Sequence, residues 1–172
     1  MIVVGGSAST GLAKDLAREL NAEYVQALTK TFPDGETYAR IDRDALHGEV
    51  VIVQNSYPND KLVELLLLQD AALGLGAEKV TCVIPYFGYA RQDERFNRGE
   101  PLSAKVMVEH IQMSADRVVL VDIHNPEIMD WFTKAKVKDV HAAPCIGDFF
   151  KEHGVDLVLA PDEGALKRAG WT

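Results

Sequence analysis

A chain of 172 residues suits one α/β domain, or one domain and the start of another, and its 47% apolar content is enough for a core and too much for disorder. A formal net charge of −8 excludes a general nucleic-acid binder and an anionic-membrane binder, because phosphate surfaces demand a basic footprint. A small anionic ligand stays open wherever arginines gather locally.

Ile2-Val-Val4 reads as a short strand, cut off by Gly5-Gly6. Ser9 or Thr10 caps the helix that follows, and Leu12, Ala13, Leu16, Ala17 and Leu20 keep helical spacing to Asn21. Strands are predicted over 24–28 and 36–41, with the turn Phe32-Pro-Asp-Gly35 between them. Residues 50–53 form a short buried strand. Asn59 or Asp60 caps a helix that runs to Leu73, with Gly74 and Gly76 as stop signals. That helix is apolar almost all round, which points to burial in a core combined with a subunit contact, and so to a homo-oligomer.

Residues 79–84 are the next strand, 101–113 a helix and 117–122 a strand. Asn125-Pro126 marks a helix start, with asparagine as cap and proline in the first turn. A strand at 137–141, a helix at 146–153 closed by Gly154, and a strand at 155–160 complete the series. Strand and helix alternate throughout, which predicts an α/β fold with a mostly parallel sheet covered by helices on both faces. A first domain is expected over 1–143 and the opening of a second over 144–172. Cys82 and Cys145 form no Cys-x-x-Cys and read as unreactive thiols in a reducing cell. With no basic leader visible and no apolar run long enough to span a bilayer, a soluble cytoplasmic protein is expected.

In open α/β sheets a ligand sits beyond the carboxyl ends of the strands. Strand 79–84 is followed by a long connection holding Arg91, Arg95 and Arg98; strand 117–122 by Ile123-His124-Asn125; strand 155–160 by Pro161-Asp-Glu-Gly164. Phe32-Pro-Asp-Gly-Glu36 is a fourth polar cluster. Each has a plain reading: a solvated charged loop, a hydrogen-bonded histidine, two turns. Gly5-Gly-Ser-Ala-Ser-Thr10 lacks the Gly-Lys-Ser/Thr of a P-loop and the full Gly-x-Gly-x-x-Gly pattern, and reads as a structural turn. Taken together, however, arginines for phosphate, carboxylates for Mg²⁺ and aromatics for a purine describe a nucleoside triphosphate site. A histidine is an unusual ligand for oxygen-preferring Mg²⁺.

Phe32-Pro-Asp-Gly-Glu36, Pro85-Tyr-Phe-Gly-Tyr-Ala-Arg-Gln-Asp93, Glu100-Pro-Leu-Ser-Ala-Lys105, Asp122-Ile-His124 and Pro161-Asp-Glu-Gly-Ala165 follow one another in this order. Together they resemble the ribose-phosphate diphosphokinase (phosphoribosyl diphosphate synthetase) family. The resemblance implies a phosphoribosyltransferase-like fold, homo-oligomeric assembly, and transfer of a diphosphoryl group from ATP to ribose 5-phosphate with release of AMP. It implies ATP contacts at Phe32, Asp34, Gly35, Glu36, Arg91, Gln92 and His124, those of the Phe32–Glu36 turn reaching partly across from a neighbouring subunit. It also implies magnesium positions at His124 and Asp162.

The family's lysine and arginine loop, its pair of adjacent acids and its Thr/Gly-rich sugar-phosphate loop have no counterpart in this sequence, and Lys167 and Arg168 are not taken for the catalytic pair. The expectation is therefore an ATP and metal half-site, inactive alone, in a piece of the enzyme. A non-catalytic regulatory partner of the same family is the alternative, and a flavodoxin-like module using the Gly5–Thr10 turn is a third reading.

Overall fold

The computed structural model describes residues 1–154, 157–160, 165, 166 and 170. The chain divides into two compact units, Met1–Asp139 and Val140–Thr172. No helix among the described residues is long and apolar enough to cross a membrane.

Eight strands are present among the described residues: β1 (Ile2–Gly5), β2 (Glu23–Gln26), β3 (Leu28–Thr31), β4 (Thr37–Arg40), β5 (Glu49–Val53), β6 (Lys79–Ile84), β7 (Arg117–Val121) and β8 (Lys136–Val140). Six of them form one sheet in the order β2-β1-β5-β6-β7-β8, while β3 and β4 form a separate two-stranded sheet. The pairings from β2 across to β7 are all parallel; Val3 lies beside Val51 and Tyr24, and Ile52 beside Cys82. Near-continuous apolar runs such as Val50-Val-Ile-Val53 are what a parallel sheet requires, because both of its faces are buried.

The two faces divide the core by alternation. Val3, Val51 and Val53 turn to one side and pack with Ala13 and Ala17 of α1 (Thr10–Glu19). Val4, Val50, Ile52, Val80, Cys82 and Ile84 turn to the other, where Leu65, Leu68 and Ala72 of α2 (Asn59–Gly74) and Ala104, Val108 and Ile111 of α3 (Ser103–Ile111) cover them. Burial of Cys82 pushes its thiol up to about 12, so it is inert, whereas Cys145 is exposed.

The all-apolar reading of α2 resolves into two parts. Leu65, Leu68 and Ala72 are buried, while Val63, Leu67 and Leu73 remain exposed. The helix also buries Glu64 and Gln69; the Gln69 amide donates to the Ile111 carbonyl at 3.0 Å.

Several expectations shift. The strand predicted at 24–28 is split, because Ala27 donates its N–H to the Gly5 carbonyl at 3.0 Å and the chain then leaves the main sheet. Leu28 opens a hairpin instead, in which Thr31 faces Thr37. Helix α2 begins at Asn59 with Pro58 at its cap position, so neither Asn59 nor Asp60 caps it. Ser9 precedes α1 without a side-chain cap bond; its Oγ accepts from the Asn55 N–H at 3.2 Å. Asn125 does cap, accepting from the Glu127 N–H at 3.0 Å, but the helix is a 3-10 helix, Pro126–Trp131.

In the unit Val140–Thr172, α4 spans Ala143–Glu152, starting earlier than the predicted 146 because Pro144 fits a first turn. Phe149 stacks on His153 with ring centroids 4.2 Å apart. Of the strand expected at 155–160, residues 157–160 are in no helix or strand, and 155 and 156 lie outside the described residues. Pro161, Asp162, Glu163 and Gly164 also lie outside them, as do Lys167 and Arg168.

Candidate functional site

The polar residues that follow the apolar strands meet at the carboxyl ends of β1, β5 and β6. Beyond Val53 the chain reads Gln54-Asn-Ser56, and each of the three side chains holds a neighbouring loop. The Gln54 Oε1 accepts from the Ala8 N–H at 2.9 Å. The Asn55 amide donates to the Ala8 carbonyl at 3.3 Å, and its Oδ1 accepts from the Tyr86 N–H at 2.9 Å. The Ser56 Oγ accepts from the Gly88 N–H at 2.7 Å. Asn59, at the head of α2, accepts from the Tyr89 hydroxyl at 2.6 Å.

These bonds seat the start of the long β6–α3 connection. Gly88 lies so close that a Cβ there would stand 2.9 Å from the Ser56 carbonyl oxygen, and Tyr89 adopts φ 67°. Arg91, Gln92 and Asp93 follow, the first exposed and the other two half-buried. Gln92 is turned back: its carbonyl accepts from the Ala104 N–H at 3.2 Å and its Oε1 accepts from the Ser103 hydroxyl, so it is fastened to the first turn of α3. The Gln92 amide oxygen is thus engaged by the fold. Arg91 is exposed, and among the described residues its guanidinium has no ion pair.

Further along, the carboxylate of Glu100 gathers the loop tip. It accepts from the Phe96 N–H at 2.8 Å, the Asn97 N–H at 3.0 Å and the Asn97 side chain at 2.6 Å. The bonds from Asn97, side chain first, hold the Glu100 carboxyl below its usual range. A carboxyl whose pKa is depressed on folding stabilises the loop fully above its ordinary value, and that contribution is lost as pH falls through the lowered one. The amide resonances of Phe96 and Asn97 are therefore expected to hold still at neutral pH and to move together only below about pH 4, the ordinary glutamate range. A shared midpoint above that range would contradict this account of the loop.

The exit of β7 is the second half of the cluster. Asp122 takes φ 49°, turning the chain sharply, and the Ile123 N–H donates to Asp139 Oδ1 at 3.1 Å. His124 follows, exposed. Asn125 then reaches back: its Nδ2 donates to Asp93 Oδ2 at 2.8 Å. One hydrogen bond thus ties the segment carrying Arg91 and Gln92 to the segment carrying His124.

Among the described residues, the hairpin candidates make no hydrogen bond to this cluster. Phe32, Asp34, Gly35 and Glu36 form the tip of the β3–β4 hairpin, where Glu36 donates its N–H to Asp34 Oδ1 at 3.1 Å and Gly35 takes φ 95°. Lys30 lies 4.6 Å from the Phe32 ring centre and 5.0 Å from that of Tyr38. The hydrogen bonds of this tip run only within the hairpin. Asp162 lies outside the described residues.

The Gly5–Thr10 turn is already occupied by a side chain. Glu64, with a side chain 0% exposed, accepts from the Ser7 N–H at 2.7 Å through Oε1 and from the Ser7 hydroxyl at 2.6 Å through Oε2, and Lys61 lies 3.4 Å from Oε2. A built-in carboxylate takes the backbone donor that a phosphate would use, and it would repel a phosphate there. That arrangement matches a structural turn. Sequence reasoning missed Asn55, Ser56 and Glu64. The polar run Gln54-Asn-Ser56 directly after an apolar strand was the available signal for the first two; a glutamate in a helix gave none for the third.

Among the described residues no three of His, Cys, Asp and Glu gather as a metal cage. His124 offers one nitrogen donor. A Mg²⁺ ion that arrived on triphosphate oxygens would need few protein ligands, and this donor is compatible with such a metal.

A parallel sheet covered on both faces, with its polar loops fastened together beyond the carboxyl ends, is the architecture of a phosphoribosyltransferase-like α/β domain. Residues 1–114 match the model for the N-terminal domain of ribose phosphate pyrophosphokinase, and the chain belongs to that family. It is 40% identical over 173 residues to a ribose-phosphate pyrophosphokinase of Saccharolobus solfataricus, covering 98% of this chain and 59% of the relative. It is 41% identical over 170 residues to one of Methanobrevibacter smithii, covering 95% of this chain and 56% of the relative. The crystal structure of phosphoribosylpyrophosphate synthetase from Mycobacterium smegmatis superposes with a TM-score of 0.82 at 29% identity, over 99% of this chain and 59% of that one. The chain thus spans less than two thirds of the length of these relatives.

Proposed function

We propose that this chain is the nucleotide-binding part of a Mg²⁺-dependent ribose-phosphate diphosphokinase, which transfers the diphosphoryl group of ATP to ribose 5-phosphate and releases AMP. Residues 1–143 make up the first phosphoribosyltransferase-like domain and 144–172 open a second. Arg91 neutralises phosphate oxygens and Gln92 offers its free amide N–H₂ to the nucleotide. Phe32, Asp34, Gly35 and Glu36 address the adenine of a neighbouring subunit in a cytoplasmic homo-oligomer. The exposed Val63, Leu67 and Leu73 of α2 support such assembly. By the family resemblance, His124 and Asp162 would serve as the magnesium positions. Mg²⁺ supplies charge neutralisation on the phosphates when bound.

One observation carries the reading: an arginine without an ion pair among the described residues is held at the carboxyl ends of a parallel sheet and fastened, through Asp93 and Asn125, to the histidine segment of the next strand. Transfer at phosphorus needs positioning and charge neutralisation more than covalent catalysis, and such an arginine provides both. Calorimetric titration with ATP, with and without Mg²⁺, tests it. His124→Ala is expected to weaken binding of Mg²⁺-ATP more than binding of ATP alone. Equal losses remove His124 from the metal, and no binding by the wild-type chain overturns the nucleotide reading.

A further inference from the structure

The connection between β6 and α3 carries Arg91, Arg95 and Arg98, so the natural partner of the Asp93 carboxylate is a guanidinium of its own loop. The structure has it otherwise. Among the described residues Asp93 pairs with none of the three; it accepts from the neutral amide of Asn125, 32 residues away, at 2.8 Å. Asn125 is itself held at its other end, where Oδ1 accepts from the Glu127 N–H at 3.0 Å. Ile123, two residues back, is pinned to Asp139 at 3.1 Å. His124 therefore sits between two residues held by carboxylates, Ile123 through its backbone and Asn125 through its side chain, and the second carboxylate belongs to the arginine loop.

We propose that Asn125 is a positioning residue: by engaging Asp93 it keeps that carboxylate off Arg91 and locks the arginine loop to the β7 exit, so that Arg91 and His124 meet one nucleotide in fixed register. The proposal rests on the ATP reading above. The chemistry requires a neutral donor at this position. An arginine or lysine would add a competing phosphate ligand, and a carboxylate would push Asp93 away. An amide does neither, and its oxygen is left to cap the 3-10 helix.

Two variants keep the helix cap. Asn125→Ser adds no charge and is too short to reach Asp93. Asn125→Asp sets two carboxylates against each other, and combining it with Asp93→Asn restores the bond with donor and acceptor exchanged at unchanged net charge. Binding of ATP is read by calorimetry, and protection of the amides of residues 91–94 by hydrogen exchange. Asn125→Ser is expected to lower ATP affinity about tenfold and Asn125→Asp by more, with faster exchange in both. The double variant is expected to regain protection and to bind within about threefold of wild type.

Wild-type affinity in Asn125→Ser, or a double variant that regains neither property, overturns the proposal. If the wild-type chain binds no ATP, the nucleotide reading falls and the positioning role with it. Exchange then decides whether the Asp93–Asn125 bond fastens the loop at all: protection lost in Asn125→Ser and recovered in the swap keeps the fastener, and unchanged protection removes it.

Discussion

Replacing Glu64 with alanine is expected to lower the stability of the Met1–Asp139 unit by about 3 kcal/mol, measured by urea unfolding of the chain. The Glu64 side chain is fully buried, yet it carries two hydrogen bonds to Ser7 and lies 3.4 Å from the Lys61 ammonium. Removing it strands the Ser7 amide and leaves Lys61 with Asp60 alone, 2.9 Å away. It also opens a cavity between α2 and the β1–α1 turn. Relief of the buried charge offsets part of this loss, which keeps the figure below the sum of the individual bonds. Glu64→Gln should cost less, about 1 kcal/mol, because the glutamine oxygen still accepts from the Ser7 N–H and the Ser7 hydroxyl can turn round to accept from the amide. Equal costs for alanine and glutamine would contradict this account, because a neutral accepting oxygen would then do nothing for the turn.

Arg91→Ala is expected to weaken ATP binding by about 2 kcal/mol, roughly thirtyfold, the scale of one charge-assisted hydrogen bond to phosphate. Loss of positive charge alone is not the cause, and Arg98→Ala is the control. Arg98 lies on the same loop and is also exposed, but near the tip gathered by Glu100. An exposed charge acting only through the field is largely screened at physiological ionic strength, so Arg98→Ala should cost less than about threefold. Equal losses in the two variants would reduce Arg91 to a general contribution to local potential. Arg95 is a poor control, because its Nε donates to the Glu100 carbonyl at 2.9 Å and shapes the loop itself.

The apolar runs of this sequence were easy to place. The run from Lys79 to Ile84 is a strand over that whole span, because its alternate residues fill both faces of a parallel sheet. The departure of Leu28 into a hairpin was not legible: periodicity continues through Ala27, and only the bond from Ala27 to Gly5 marks where the main sheet lets go. Among the candidate residues, Arg91 and His124 were singled out by type and by position after a strand, and Gln92 by the family resemblance alone. What fastens them was not. Asn55, Ser56, Asp93 and Asn125 act through partners dozens of positions away, and nothing local in the chain marks which amide will meet which carboxylate. Gln92 shows the converse, since a residue assigned to a ligand by the resemblance is also fastened to the first turn of α3.

The seating of the β6–α3 connection sets how the molecule can move. The Tyr86 and Gly88 N–H groups hang from the Asn55 and Ser56 side chains and the Tyr89 hydroxyl from Asn59, while the strands below are joined by their own ladders. Each such hook is worth only about 1 kcal/mol, so this seat is expected to open at lower cost than the sheet beneath it. Opening of this loop is thereby expected to be insulated from the melting of the fold.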